Sequence, residues 1–249
     1  MSDLPLLDVI APEWPAPSSV HAWVTTRIGG VSKTPYAALN LATHVEDDLE
    51  AVTENRRRLS EALELPSSPH WLTQVHGCAV ADLNEASDTS PCADAAFTQI
   101  RGQVCAVLTA DCLPLLLCDA AGTEVAAVHA GWRGLLEGVI EETVAHFADP
   151  SSVLAWLGPA IGPASFEVGL EVRDAFFARD EDAASAFEQG RDTQHWQADL
   201  YQLARLRLRK SGVTQIFGGG FDTATDPRFY SHRASGGRTG RFASLIWLG

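Results

Sequence analysis

The stretch QVCAVLTADCLPLLLCDAAGTEVAAVHAGWRGLL, Gln103–Leu136, decides the fold. It holds three apolar runs in succession, Gln103–Thr109, Leu113–Cys118 and Glu124–His129, separated by residues that punctuate a chain. Apolar runs of about four to eight residues between turn signals predict buried strands. From Arg133 the period changes. Leu136, Val139, Ile140, Val144 and Phe147 recur on one face, which predicts a helix over Arg133–Phe147. Working outward, Val153–Leu157 reads as a further strand, and Trp71–Val75 and Gly77–Leu83 as two short strands before the central runs. Val20–Arg27 alternates like a strand and leads into the glycine turn Ile28–Ser32. Asp48–Leu65 suits an amphipathic helix carrying Val52, Leu59 and Leu63, and Val168–Ala178 and Leu200–Ser211 are helical. Ala178–Gln197 is polar and reads as a surface excursion, and Ser244–Trp247 closes the chain as a strand. Runs of strands broken by single helices predict an α/β chain of the α+β kind. Mixed sheets covered by helices then form one domain over residues 1–249.

Composition narrows the function. Hydrophobic residues make up 46% of the 249 and charged residues 20%, enough to bury a substantial core. A formal net charge of −14 argues against binding nucleic acid or an anionic membrane surface, both of which need a basic face. The densest apolar run, Cys112–Cys118, is too short to cross a bilayer. The N-terminal MSDLPLLDVIAPEWP lacks the positive side chains of a secretion signal, so a cytoplasmic location is expected. Five cysteines with no CxxC pair argue against a disulfide framework; Cys105 and Cys118 read as small core hydrophobes. The basic runs Arg56–Arg58 and Arg205–Lys210 read as solvated helix faces. No heptad or long apolar edge advertises a partner, so a monomer is expected.

Three motifs carry chemistry. Thr73-Gln74-Val75-His76-Gly77 delivers a histidine into a glycine turn. Thr109-Ala110-Asp111-Cys112-Leu113-Pro114 puts an acid and a thiol at a strand end, where the proline is expected to interrupt regular pairing. Val128-His129-Ala130-Gly131-Trp132-Arg133-Gly134 reads as strand end, glycine turn and helix start, a place that favours an anion, with Arg133 adding positive charge. Each has a plain structural reading: a hydrogen-bonded histidine, a packed cysteine, a helix entry. Gathered at one sheet edge, His76, Cys112 and His129 match the donor set of a catalytic zinc with an open position. Cys112 with His129 as its base equally suits a thiol hydrolase acting on an amide. Zinc and thiol catalysis both remain open on these residues.

TTRIGGVS, LNLATHVEDD, ENRRRL, TQVHG, TADCLPLLLCD, AAVHAGWRGLL, LGPAIGPASFEVG and TGRFASLIWL, in this order from about Trp23 onward, resemble the YfiH-type family, also called the laccase-domain or polyphenol-oxidoreductase family. The resemblance implies a mixed α/β catalytic domain with one zinc on His76, Cys112 and His129. It implies phosphorolysis of adenosine, inosine, guanosine or methylthioadenosine, and deamination of adenosine; editing of peptidoglycan precursors is a second role of bacterial members. Under this reading Asp111 is either the proton shuttle or a loop holder. Arg133 is the first candidate for phosphate, with Arg56 and Arg27 behind it, and Gln74 and Asn40 are candidates for base or ribose. The family's usual Cys-Thr pair is Asp222-Thr223 here, so any role of that cysteine is lost. A multicopper oxidase is disfavoured by counting: the only methionine is Met1 and the eight histidines form no His-x-His pair. Copper could occupy the zinc site adventitiously, since it binds such ligands more tightly.

Overall fold

The computed structural model describes residues 7–85 and 90–249; residues 1–6 of the N-terminal segment lie outside it. In chain order the elements are β1 (Val9–Ile10), β2 (Val20–Thr25), α1 (Leu49–Ala62), β3 (Val80–Asp82), β4 (Ala95–Thr98), β5 (Val104–Thr109), β6 (Leu113–Asp119) and β7 (Val125–Ala130). There follow α2 (Trp132–Glu137), α3 (Val139–Val144), β8 (Val153–Leu157), β9 (Glu167–Gly169), α4 (Leu170–Arg179), β10 (Phe187–Gln189), β11 (His195–Ala198), α5 (Leu200–Lys210), β12 (Gln215–Gly218) and β13 (Phe242–Leu248).

The three apolar runs of the central stretch are β5, β6 and β7, and every residue in them is buried. They do not share one sheet. β5 lies in a four-stranded sheet ordered β1-β2-β13-β5, whereas β6 and β7 are central in a six-stranded sheet ordered β12-β8-β6-β7-β4-β3. The six-stranded sheet is mixed: β12 with β8 and β3 with β4 are parallel, the rest antiparallel. Alternation along the strands then dictates the layers. Cys105, Val107, Phe242 and Ile246 of one sheet pack with Leu116, Cys118, Ala127 and Trp156 of the other. The opposite faces carry Val104, Ala106 and Leu245 against Leu59 of α1, and Leu113, Leu115, Leu117 and Val128 against Val139, Ile140 and Leu208 of the other helices. Strands buried on both faces cannot alternate in polarity, which is why they read as continuous apolar runs.

Five expectations from the sequence differ in the structure. The helix expected over Arg133–Phe147 breaks at Gly138, whose φ of 111° ends α2 and starts α3 while the apolar stripe continues into the core. Trp71–Val75 forms no ladder; instead Gln74 covers the edge of β5 by pairing its side-chain amide with both backbone groups of Leu108. Pro114 interrupts nothing on β7: it pairs with His129 in register. The polar segment Ala178–Gln197 is not a surface excursion. It buries Ala183, Ala186 and Phe187, and β10 and β11 form a three-stranded sheet with β9. The basic runs are also less solvated than expected. Arg57 and Arg58 pair with Glu54, but Arg56 stacks on Trp71 at 4.2 Å, and buried Arg207 pairs with Glu141 at 2.9 Å. Among the described residues no helix is long and apolar enough to cross a membrane.

Candidate active site

The link between β5 and β6, Ala110-Asp111-Cys112, is where the chain leaves one sheet for the other, and Cys112 sits at the threshold of β6. Its neighbour β7 carries His129, opposite Pro114 in register. His76 arrives from the segment before β3 with a φ of 62°. The side chains converge, their ligand-type atoms all lying within 4.8 Å of one another, and the two imidazoles meet edge-on with centroids 4.8 Å apart. Gly131 leaves little room beside the cluster. A Cβ there would lie 3.0 Å from Cys112 Sγ and 3.2 Å from His76 Cδ2.

Asp94, fully buried just before β4, organises the cluster, and sequence reasoning missed it. Its carboxylate accepts the backbone N–H groups of Val75, His76 and Gly77 at 3.2, 2.9 and 2.8 Å, fixing the turn that presents His76. The same carboxylate lies 2.8 Å from His129 Nδ1, and its backbone carbonyl accepts His129 N–H at 2.7 Å. Burial alone would raise the Asp94 pKa, but the hydrogen bonds from His129, Gly77 and His76 outweigh it and hold the carboxyl below its usual value. With Nδ1 engaged, Nε2 is the His129 nitrogen left for Cys112 or a metal, the carboxylate–histidine pairing that orients metal ligands. Burial pushes the Cys112 thiol up, yet His129 and His76 overcome this and bring it below the ordinary thiol range; His129 is raised in return by Cys112 and Asp94. Two imidazoles and one thiolate at this separation suit a tetrahedral zinc with one position open to substrate.

A pocket of ≈ 380 Å³ opens over the cluster. Gln74, Leu108, Thr109, Asp111, Ile161 and Phe166 line it together with four cationic or titratable side chains, His44, His232, Arg233 and Arg241. Of the residues singled out from sequence, His76, Cys112, His129, Asp111 and Gln74 are brought together here. Asp111 is a tie: Oδ1 accepts from Thr223 Oγ1 and Oδ2 from Arg233 N–H, both at 2.7 Å. Arg133 stands outside the lining, exposed, with its guanidinium over Trp132 at 4.4 Å. Arg27 likewise lies outside it, donating to Ala37 O. Arg56 stands behind His44, donating Nε–H to Leu41 O. Asn40 is fully buried and spent within the chain, donating to Ala42 O and Asp47 Oδ2 and accepting from Ala42 N–H and Arg241 N–H. Asp222, where the family usually has cysteine, accepts from Gly162 N–H and Ser165 Oγ, fixing the loop that carries Ile161 and Phe166.

The chain is 56% identical over 242 residues to the purine nucleoside phosphorylase YfiH of Escherichia coli (strain K12), an alignment covering 96% of this chain and 98% of that one. A purine nucleoside phosphorylase of Pseudomonas aeruginosa is 54% identical over 241 residues with the same coverage. The crystal structure of a Neisseria meningitidis protein superposes with a TM-score of 0.92 at 47% identity, covering 96% of this chain and 98% of that one. A family model described as multi-copper polyphenol oxidoreductase laccase matches residues 21–249. With its His-Cys-His cluster and these relatives, the chain belongs to the YfiH-type, or polyphenol oxidoreductase laccase, family.

Proposed function

We propose that this chain is a cytoplasmic zinc enzyme of purine nucleosides, which cleaves adenosine, inosine, guanosine and methylthioadenosine with phosphate and also deaminates adenosine. One observation carries the reading: a metal-type donor set and two arginines line the same nucleoside-sized pocket. The phosphorylase names of the E. coli and P. aeruginosa relatives supply the reaction class. His76, Cys112 and His129 would hold the zinc, which supplies Lewis acidity when bound.

The chain's own groups perform the rest. In phosphorolysis the bond from ribose C1′ to the base nitrogen breaks, a phosphate oxygen bonds to C1′, and the base leaves with the electron pair and takes a proton. Arginines in the pocket neutralise phosphate and hold it for attack. Ile161 and Phe166, both buried, keep water from competing at C1′. Asp94 holds His129 in one orientation, and Asp111 holds the loop of Arg233 rather than shuttling a proton, since both its oxygens are engaged. The test is product identity. Inosine with phosphate should give hypoxanthine and ribose 1-phosphate, and no base should be released without phosphate; phosphate-independent base release would contradict the proposal. Adenosine should separately give inosine without phosphate.

A second reading rests on the alignment of Asp94, His129 and Cys112, which is also that of an orienting acid, a base and a thiol nucleophile. It would make the chain an amide hydrolase, such as one that edits peptidoglycan precursors. A metal-free protein that cleaves an amide and loses that activity in Cys112→Ser would favour it.

A further inference from the structure

Two guanidinium groups line the pocket, and their settings differ. Arg241, half-buried before β13, is mounted rigidly. Its backbone N–H donates to Asn40 Oδ1 at 2.9 Å, and Nη1 donates to the carbonyls of Thr239 and Gly240 at 2.9 and 3.0 Å. Nε and Nη2 have no partner among the described residues. His44 lines the same pocket; burial, and then the charges of Arg241 and Arg56, lower its pKa, so it faces the pocket as a neutral imidazole with one N–H to donate. Arg56 is fixed in turn by its bond to Leu41 O and its stack on Trp71. A chain of net charge −14 has thus anchored two guanidinium groups and an imidazole around one corner of its pocket. Arg241 shares the pocket lining with Asp111 and Cys112, which brings this corner beside the metal-type cluster.

Arg233 is set otherwise. It is exposed, Nη1 donates to Glu167 O at 3.0 Å, and its guanidinium stands 5.5 Å from the centroid of Phe166. Ile161 lines the pocket with them, so this side sets apolar side chains, one of them aromatic, beside a guanidinium. That is the complement of a purine, whose faces stack and whose rim hydrogen-bonds.

We propose that Arg241 and His44 form the oxyanion subsite that takes phosphate, and that Phe166, Ile161 and Arg233 hold the base. The assignment of phosphate to one corner rests on the phosphorylase reading for its use, but not for its binding. The first measurement is therefore calorimetric titration of inorganic phosphate into the enzyme as purified, for wild type, Arg241→Met, Arg241→Lys, His44→Gln and Arg233→Met. The second is the pair of KM values for phosphate and inosine. Loss of a charge-assisted pair predicts phosphate binding about tenfold or more weaker in Arg241→Met, part of it restored in Arg241→Lys, and a few-fold loss in His44→Gln. Arg233→Met should leave phosphate affinity within about twofold and raise the inosine KM instead. If Arg241→Met fails to fold by circular dichroism, Arg241→Lys and His44→Gln carry the test. Phosphate affinity unchanged in the Arg241 and His44 variants, weakened equally in Arg233→Met, or absent from wild type would overturn the assignment. Phosphate binding in the expected pattern, with no phosphorolysis, would uphold the subsite and sink the phosphorylase reading.

Discussion

The two sides of the pocket are built by different means. His129 stands on β7, Cys112 at the threshold of β6 and His76 on a turn clamped by Asp94, so ladders and one buried carboxylate hold that side. The arginine corner comes from loops at opposite ends of the sequence, His44 before α1 and Arg241 before β13, joined through the side chain of Asn40. A strand-held site changes little when one loop contact is lost; a loop-held site depends on each contact. The two sides should therefore fail separately.

The largest effect belongs to the strand-held side. Cys112→Ala removes a ligand from the donor set and should lower kcat/KM for inosine by about 10³-fold, the equivalent of several kcal/mol of Lewis-acid stabilisation, with zinc lost in the same preparation. Retained zinc with full activity would break the comparison at its first term. Asp94→Asn comes next. It keeps the shape but weakens the hold on His129 and the His76 turn, so a chelator titration should show metal affinity about 10–100-fold weaker. Asn40→Ala tests the other side. It strands buried partners, so thermal unfolding should report a loss of about 1–3 kcal/mol. Phosphate affinity should fall while metal affinity holds, and a matching fall in metal affinity would show that the two sides are one unit. The smallest effect is a pH profile on metal-stripped protein. Because His129 and His76 bring the Cys112 thiol below its ordinary range, its thiolate survives as pH falls through neutrality. Alkylation followed by mass spectrometry should remain fast at pH 7, where an ordinary thiol is only a few per cent ionised, and slow only at lower pH.

The same division explains what could be read in advance. β5, β6 and β7 declared themselves because strands buried on both faces are unbroken apolar runs, and Cys112 and His129 at their ends meet His76 in one cluster. That they fall into two sheets was not legible, because nothing in a strand's composition names its neighbour. β4 and β12 were missed as strands: one is short and alanine-rich, and the other has exposed ends. Gln74 explains the false strand at Trp71–Val75, for a side chain there does the work of a ladder. Asp94 looked like an unremarkable acid before a short apolar run, since its four partners come from two other segments. His44 and Arg241 lay inside LNLATHVEDD and TGRFASLIWL, yet no local pattern distinguishes a loop arginine that lines a pocket from one that faces water. Arg133 shows the reverse error: charge at a helix start looked like an anion site, but α2 is six residues long and its arginine turns outward over Trp132.

His76, Cys112 and His129 are proposed to hold one zinc at the base of this pocket. Metal analysis with X-ray absorption at the zinc edge, on protein as purified, tests it directly. About one zinc per chain is expected, bound by one sulfur at about 2.3 Å and two imidazole nitrogens at about 2.0 Å. A shell without sulfur, or active protein without metal, would contradict it.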